Sequence, residues 1–440
     1  MAALFGDILG WFPGHQPATA SSSLSSAAAA TPTADGLDHI SALPDCILRN
    51  VVSRLPVRDA ARTAVLATRW LGIWRSTSLV LRDADLLLAS SDDEPTRAAA
   101  AATIGRILAD HPGPFRAVHL TSFSFASRER ELAEWTRLLA AKGVQDLVLV
   151  NDGSIRSPSS ELRLPADILS CATLQRLLLE NWRFPDTSGA PRGADIFPRL
   201  KELGMFNTGM SDHDLEHMIA CSPEMETLSL VFSTRPELIR LRSQSLLCML
   251  LWASTAEELA VVDAPCLERL ILWRTSGGAN SSVIRLKIAR APELRVLGYL
   301  EPRVHQLQIG SIVINAATKA RPSSTVPSVK ILALRVNFGV LKEVDMLASF
   351  LRCFPNVETL HIESAIVDEA TGRHHARFWR EAHHIECVKS HVTKIVIHEL
   401  HGDQSEFEFL KFIAKHAQKL QALLLMVTKE IFGSVDEINK

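Results

Sequence analysis

Apolar residues recur along most of this chain in the short pattern L-x-x-L-x-L, with Val, Ile, Met or an aromatic residue admitted at some apolar places. Clear copies are Leu174/Leu177/Leu179, Leu200/Leu203/Met205, Met225/Leu228/Leu230, Leu267/Leu270/Leu272, Leu294/Leu297/Tyr299, Val329/Leu332/Leu334 and Val357/Leu360/Ile362. Their first positions advance by 26, 25, 42, 27, 35 and 28 residues. A weaker copy, Leu247/Leu250/Trp252, divides the longest gap, and Phe115/Val118/Leu120 and Val144/Leu147/Leu149 stand earlier in the chain. Each copy predicts a short strand whose alternate side chains point to one side. So short a strand cannot cover its own apolar side, so it must stack on the next copy.

Periods of about 20–29 residues with this pattern are the signature of leucine-rich repeats, which predicts an irregular solenoid over residues 79–365. The segments between strands vary. Residues 212–220 have helical spacing, with Leu215, Met218 and Ile219 apolar, whereas 259–262, 284–288 and 304–309 alternate as extra strands. Ala264-Pro265 and Ala291-Pro292 mark equivalent turns. The Asn expected three places after the third apolar residue is missing, and Asn181 and Asn207 come one place early.

The pattern is different near the N-terminus. Pro44 suits the first position of a helix and Asp45 its positive end; Ile47, Leu48, Val51, Val52 and Leu55 follow at helical spacing until Pro56. A second helix starts near Val57 and carries Ala60, Ala61, Ala64, Val65 and Leu66; a third holds Trp70, Ile73 and Trp74. Three short helices in about 40 residues cannot bury this many large side chains against one another. The surplus apolar surface serves a partner or packs on the following domain.

Composition narrows the function classes. With Lys+Arg 47 against Asp+Glu 49, a net charge of −2 removes the electrostatic case for nucleic acid or a membrane surface. Aromatic residues are only 6% of the chain, which favours stacked leucine repeats over a sandwich. The seven cysteines contain no CxxC pair, which predicts buried free thiols rather than disulfides or a zinc module. Residues 1–36 carry no Lys or Arg and read as a disordered leader without a secretory or mitochondrial signal, so the expected location is intracellular, nucleus or cytoplasm, and not secreted.

Residues 38–48 (DHISALPDCIL), 52–70 (VSRLPVRDAARTAVLATRW), Ile73 and Trp74 closely resemble the plant F-box motif over residues 37–78, departing from it at Cys46 and Leu71. The resemblance implies docking of Leu43, Pro44, Ile47, Leu48, Val51, Leu55, Pro56, Val65, Leu66 and Trp70 onto a Skp-type adaptor and, through it, a cullin. Residues 386–397 (ECVKSHVTKIVI), Gly402 and 406–413 (EFEFLKFI) resemble the FBD module of plant F-box proteins with leucine-rich repeats; the residues themselves predict a strand, helix and strand within 378–430. The expected fold is therefore α/β: a three-helix F-box, an irregular leucine-rich-repeat solenoid and a C-terminal β-α-β cap.

No phosphate-cradling or serine-nucleophile motif occurs. His398 and His401 are three apart at a strand end, the wrong spacing for a zinc-protease pair, and the cluster His374, His375, His383, His384, Cys387 and His391 reads as solvated loop histidines. The expectation is a non-catalytic receptor subunit with no cofactor and no metal. Substrate contact is expected on the concave strand face, at Arg176, Glu180, Glu202, Phe206, Arg269, Trp273, Arg335, His361 and Glu363, unless these are merely solvated strand residues. The leading expectation is a substrate-recognition subunit of an SCF-type ubiquitin ligase (Skp adaptor, cullin, F-box) that recruits a protein substrate. A leucine-rich interaction protein without ligase recruitment and a small-molecule receptor are the alternatives.

Overall fold

A computed structural model of the chain describes residues 40, 42–87, 94–151, 162–188, 196–278, 282–315, 321–365, 379 and 385–427. The expected leader and His374, His375, His383 and His384 lie outside the described residues. Met1–Asp45 and Cys46–Lys440 are separate units. In the first, the Leu43 amide donates to the Ile40 carbonyl (3.1 Å); Ile40 and Pro44 are exposed and Leu43 is half-buried.

The three N-terminal helices are α1 (Asp45–Val52), α2 (Val57–Thr63) and α3 (Thr68–Ser76). Leu48, Val52, Val57, Ala60, Trp70 and Ile73 are buried. α2 stops at Thr63, so Val65 and Leu66 lie in the turn before α3 rather than in the second helix. This module rests on the first coil of the solenoid. His111 Nε2 is 3.1 Å from the Thr77 carbonyl, the Trp74 and His111 rings are 4.9 Å apart, and Arg58 Nη2 donates to the Leu86 carbonyl (3.0 Å).

Among the described residues, thirteen parallel strands follow in one sheet: β1 (Leu79–Arg82), β2 (Phe115–Phe123), β3 (Asp146–Asn151), β4 (Arg176–Glu180), β5 (Glu202–Phe206), β6 (Thr227–Val231), β8 (Cys248–Trp252), β10 (Arg269–Trp273), β12 (Val296–Leu300), β15 (Ile331–Val336), β16 (Thr359–Ser364), β17 (Lys394–Leu400) and β18 (Ala422–Val427). Five strands form a second sheet: β7 (Leu238–Arg242), β9 (Glu258–Asp263), β11 (Ile284–Ile288), β13 (His305–Ile309) and β14 (Ile312–Val313). The three extra strands expected from alternation are β9, β11 and β13; β7 and β14 were not foreseen. α-Helices stand between other strands: α4 (Glu94–Asp110), α5 (Glu129–Ala141), α6 (Asp212–Ala220), α7 (Leu341–Cys353), α8 (Glu386–Ser390) and α9 (Gln404–His416).

The stacking rule is visible in the register. Leu177, Leu203, Leu228, Met249, Leu270, Leu297, Leu332, Leu360 and Ile395 pair in turn across the long sheet, and all are fully buried. Each burial is worth about 1.5–3 kcal/mol, and only because the neighbouring coil is present. Two expected repeat registers are corrected. In β8 the inward pair is Met249 and Leu251, which match Leu228 and Leu230, so Leu250 and Trp252 lie on the opposite face, Leu250 fully buried and Trp252 half-buried. In β12 a register shift pairs Leu300 with Leu334, and Leu300 rather than Tyr299 takes the inner place. Because side chains alternate with a period of two, a one-residue error moves an aromatic ring to the other face.

The missing asparagine also has a structural reason. Its place is taken by a buried hydroxyl in successive coils, Thr208, Ser233, Ser254 and Thr275. The Ser254 hydroxyl accepts from the Ser233 amide (3.0 Å) and donates to the Trp252 carbonyl (2.9 Å). Asn181 and Asn207 occupy the preceding left-handed position, with φ of 63° and 43°, a conformation asparagine tolerates. Asn207 Nδ2 donates to Asn181 Oδ1 (2.8 Å) and Asn181 Nδ2 to the Asn151 carbonyl (3.0 Å), a short ladder.

At the C-terminal end, β17, α9 and β18 form the expected strand–helix–strand unit, joined to the long sheet as parallel strands. Glu406 is buried at the start of α9, where its carboxylate accepts from the amides of Asp403 (2.9 Å) and His401 (3.1 Å) and from the Ser364 hydroxyl on β16. The helix is thereby pinned to the preceding coil.

Candidate docking surfaces

The helical module of the larger unit keeps part of its apolar surface outside. Ile47 and Val51 lie one turn apart on α1 and are each 45% exposed; Val65 and Leu66 are 85% and 66% exposed. Pro56 is exposed and Leu55 half-buried beside them in sequence. Leu48 and Trp70 are interior, because α1 and α3 turn those side chains toward Val52, Val57 and Ile73 at helical spacing. These two support the face from behind and offer no free surface. The docking strip expected from the sequence therefore reduces, in this unit, to Ile47, Val51, Leu55, Pro56, Val65 and Leu66.

The second surface is the open face of the long sheet. Arg176, Glu180, Arg269, Trp273, Arg335 and His361 are half-buried there, at the alternate positions the repeat pattern assigns to that face. Phe206 and Glu363 are buried. A Cβ on Gly204 would meet Leu178 Cδ2 at 2.4 Å and Phe206 Cε2 at 3.5 Å, so both side chains fold over the space that Gly204 leaves. Phe206 is consequently not the exposed anchor expected of it.

Two guanidiniums clamp neighbouring strands. Arg176 lies between Asp146 (3.5 Å) and Glu202 (3.4 Å). Arg335 Nη1 donates to Glu301 Oε2 (3.2 Å), and its Nε is 3.0 Å from Glu363 Oε1. Burial raises the carboxyl pKa of Glu301 and Glu363, which Arg335 opposes. It also pushes the Tyr299 hydroxyl up to about 12 and His361 down to about 4, with His398 and Lys394 adding to the second shift. The His361 and His398 rings stack at 6.0 Å.

The register corrections place a row of rings beside this cluster. Trp252 and Trp273 stack at 5.5 Å and 16°, Tyr299 follows Trp273 at 6.4 Å and 28°, and Phe232 precedes Trp252 at 5.5 Å. Of these, only Trp273 was expected on the face. Aligning coils on the buried hydroxyls would have found Trp252: Phe206, Val231, Trp252 and Trp273 each stand two places before Thr208, Ser233, Ser254 and Thr275.

Burial pushes the thiols of Cys171, Cys353 and Cys387 up to about 12 and that of Cys248 to about 11, so they are inert near neutral pH. Cys46 is exposed and Cys266 half-buried. Among the described residues no group of three or more His, Cys, Asp or Glu could hold a metal ion, and no helix is long and apolar enough to cross a membrane.

Residues 132–362 match the family model described as FBD-associated F-box protein At5g56370, LRR repeats; residues 40–82 match the F-box domain and 380–425 the FBD module. Relatives in Arabidopsis thaliana include F-box/FBD/LRR-repeat protein At1g13570, 29% identical over 195 residues (44% of each chain), and F-box/LRR-repeat protein At3g26922, 28% identical over 194 residues (43% of this chain, 58% of that protein). The chain thus spans about half the length of the first curated relatives it matches. F-box/FBD/LRR-repeat protein At5g56420 aligns over 414 residues at 24% identity, 88% of this chain and 91% of that protein. A short helical module ahead of a parallel-strand solenoid and a terminal strand–helix–strand unit agrees with these matches, and the chain belongs to the family of F-box proteins with leucine-rich repeats and an associated FBD module.

Proposed function

We propose that this chain is the substrate-recognition subunit of an SCF-type ubiquitin ligase. The helical module binds a Skp-type adaptor and, through it, a cullin, while the open face of the long sheet holds a protein substrate. The chain itself performs no chemistry: it raises the effective concentration of substrate near the transferred ubiquitin. Its place of action is the nucleus or the cytoplasm. The observation that carries this reading is the strip of Ile47, Val51, Val65 and Leu66, left uncovered on a module that buries Leu48, Val52, Val57, Trp70 and Ile73.

The test is adaptor binding by the purified full chain. Because Val65 and Leu66 are exposed, Val65→Asp with Leu66→Asp leaves the module folded and weakens a Skp-type adaptor by at least about tenfold, the scale of a lost hot spot. Equal binding by variant and wild type would overturn the assignment. Leu48→Asp and Trp70→Ala are unsuitable probes, since both positions are interior and the changes unfold the module.

A further inference from the structure

The row of rings runs into a cluster in which three buried carboxyl groups have one half-buried guanidinium among them. Glu301 and Glu363 are 9% and 6% exposed, and Glu343 is also buried. The guanidinium closest to them is the half-buried Arg335; Arg274 and Arg303 also act on these carboxylates but are exposed and screened by water. Among the described residues, Glu301 Oε1 is buried and accepts no hydrogen bond. A buried carboxylate oxygen without a donor costs free energy that an arriving cation recovers, and charge-assisted pairs formed out of water are the strong ones. At the second clamp, Arg176 with Asp146 and Glu202, Asp146 Oδ1 is likewise buried without a hydrogen bond, but the two carboxylate side chains are 27% and 32% exposed, so water screens their charge more than at Glu301 and Glu363.

We propose that the open face at β8, β10, β12, β15 and β16 selects substrates by an extended segment in which an apolar stretch is followed by a Lys or Arg. The apolar stretch lies on the ring edges of Trp252 and Trp273, and the cation enters beside Glu301 and Glu363. This rests on the reading that the sheet face holds the substrate, and charge complementarity identifies the occupant. Strands are about 4.8 Å apart, so Glu363 on β16 lies three strand steps, about 14 Å, beyond Trp273 on β10. An extended chain covers about 3.3 Å per residue, which puts the basic residue about four places after the apolar stretch.

The experiment pans displayed random 12-residue peptides against the full chain, then measures the enriched peptide by fluorescence anisotropy. Peptides with the apolar-then-basic order are expected. The Lys-to-Met version of the enriched peptide, which leaves the protein untouched, should bind at least tenfold more weakly to the wild type. Against Glu301→Gln/Glu363→Gln, the two peptide versions should differ by less than threefold. Enrichment of acidic peptides, no enrichment at all, or equal binding of the two versions to the wild type would overturn the proposal. Adaptor binding is measured in parallel, so failure of this face and failure of the ligase reading are told apart.

Discussion

His305 shows how one buried side chain can report on the whole solenoid. The Glu301 amide donates to its Nδ1 (2.9 Å), so its Nε2 carries the proton and faces Thr275 Oγ1 at 2.9 Å. Burial holds its pKa down to about 4 from 6.5. The unfolded chain therefore takes up a proton between pH 6.5 and 4 that the folded chain refuses. The stabilisation from neutral His305 is complete above pH 6.5 and is lost as pH falls toward 4. At pH 5 the loss is on the order of 2 kcal/mol. Glu301 and Glu363, with raised pKa values, slope the other way, so the measurement is a difference: urea denaturation of wild type and His305→Gln at pH 7.5 and pH 5. The wild type should lose more stability than the variant on acidification; parallel losses would refute the assignment. His305 was visible in the sequence only as one polar residue in an alternating run, because Thr275 comes from the preceding coil and the Glu301 amide reaches the ring only through the turn between β12 and β13.

Strands were legible where a polar first residue marked the open face. β4, β5, β6 and β10 were read in the correct register, since Arg176, Glu202, Thr227 and Arg269 open them and place the following Leu inward. β8 (CMLLW) and β12 (VLGYL) open on an apolar residue instead, so each offers two choices. In β12 the choice depends on Gly298, whose φ of 147° suits glycine and whose added Cβ would meet the Ala333 carbonyl oxygen at 2.4 Å. Gly298→Ala must push β15 away from β12, at a cost of about 3 kcal/mol. Gly204→Ala meets the end of a flexible leucine side chain instead and should cost about 1 kcal/mol. Thermal melts of the two variants test this, and a Gly298→Ala melt no lower than that of Gly204→Ala contradicts it.

At the scale of the molecule, the helical module and the solenoid share a packed boundary, where Trp74 lies against His111 and His111 is 5.5 Å from Phe115 on β2. A fixed orientation suits a receptor that acts by holding a substrate at a set distance. Trp74→Ala should remove about 3 kcal/mol of packing there. Hydrogen exchange should then rise across α3 and β1 and stay unchanged in β15 and β16, with adaptor affinity within about threefold of wild type. Unchanged exchange in α3 would mean that the boundary is not held by this ring. The sequence by itself determined the order of the parts, the stacked parallel strands and the apolar character of the helical module. Each of these is local, a period of two or of 3.6 repeated over a few residues. Tertiary structure alone decided which apolar residues stay uncovered, as it separated Val65 and Leu66 from Leu48 and Trp70. It alone brought Trp252, Trp273, Tyr299 and Glu301 to one edge, because exposure and proximity depend on coils tens of residues apart and on a register that a single glycine can shift.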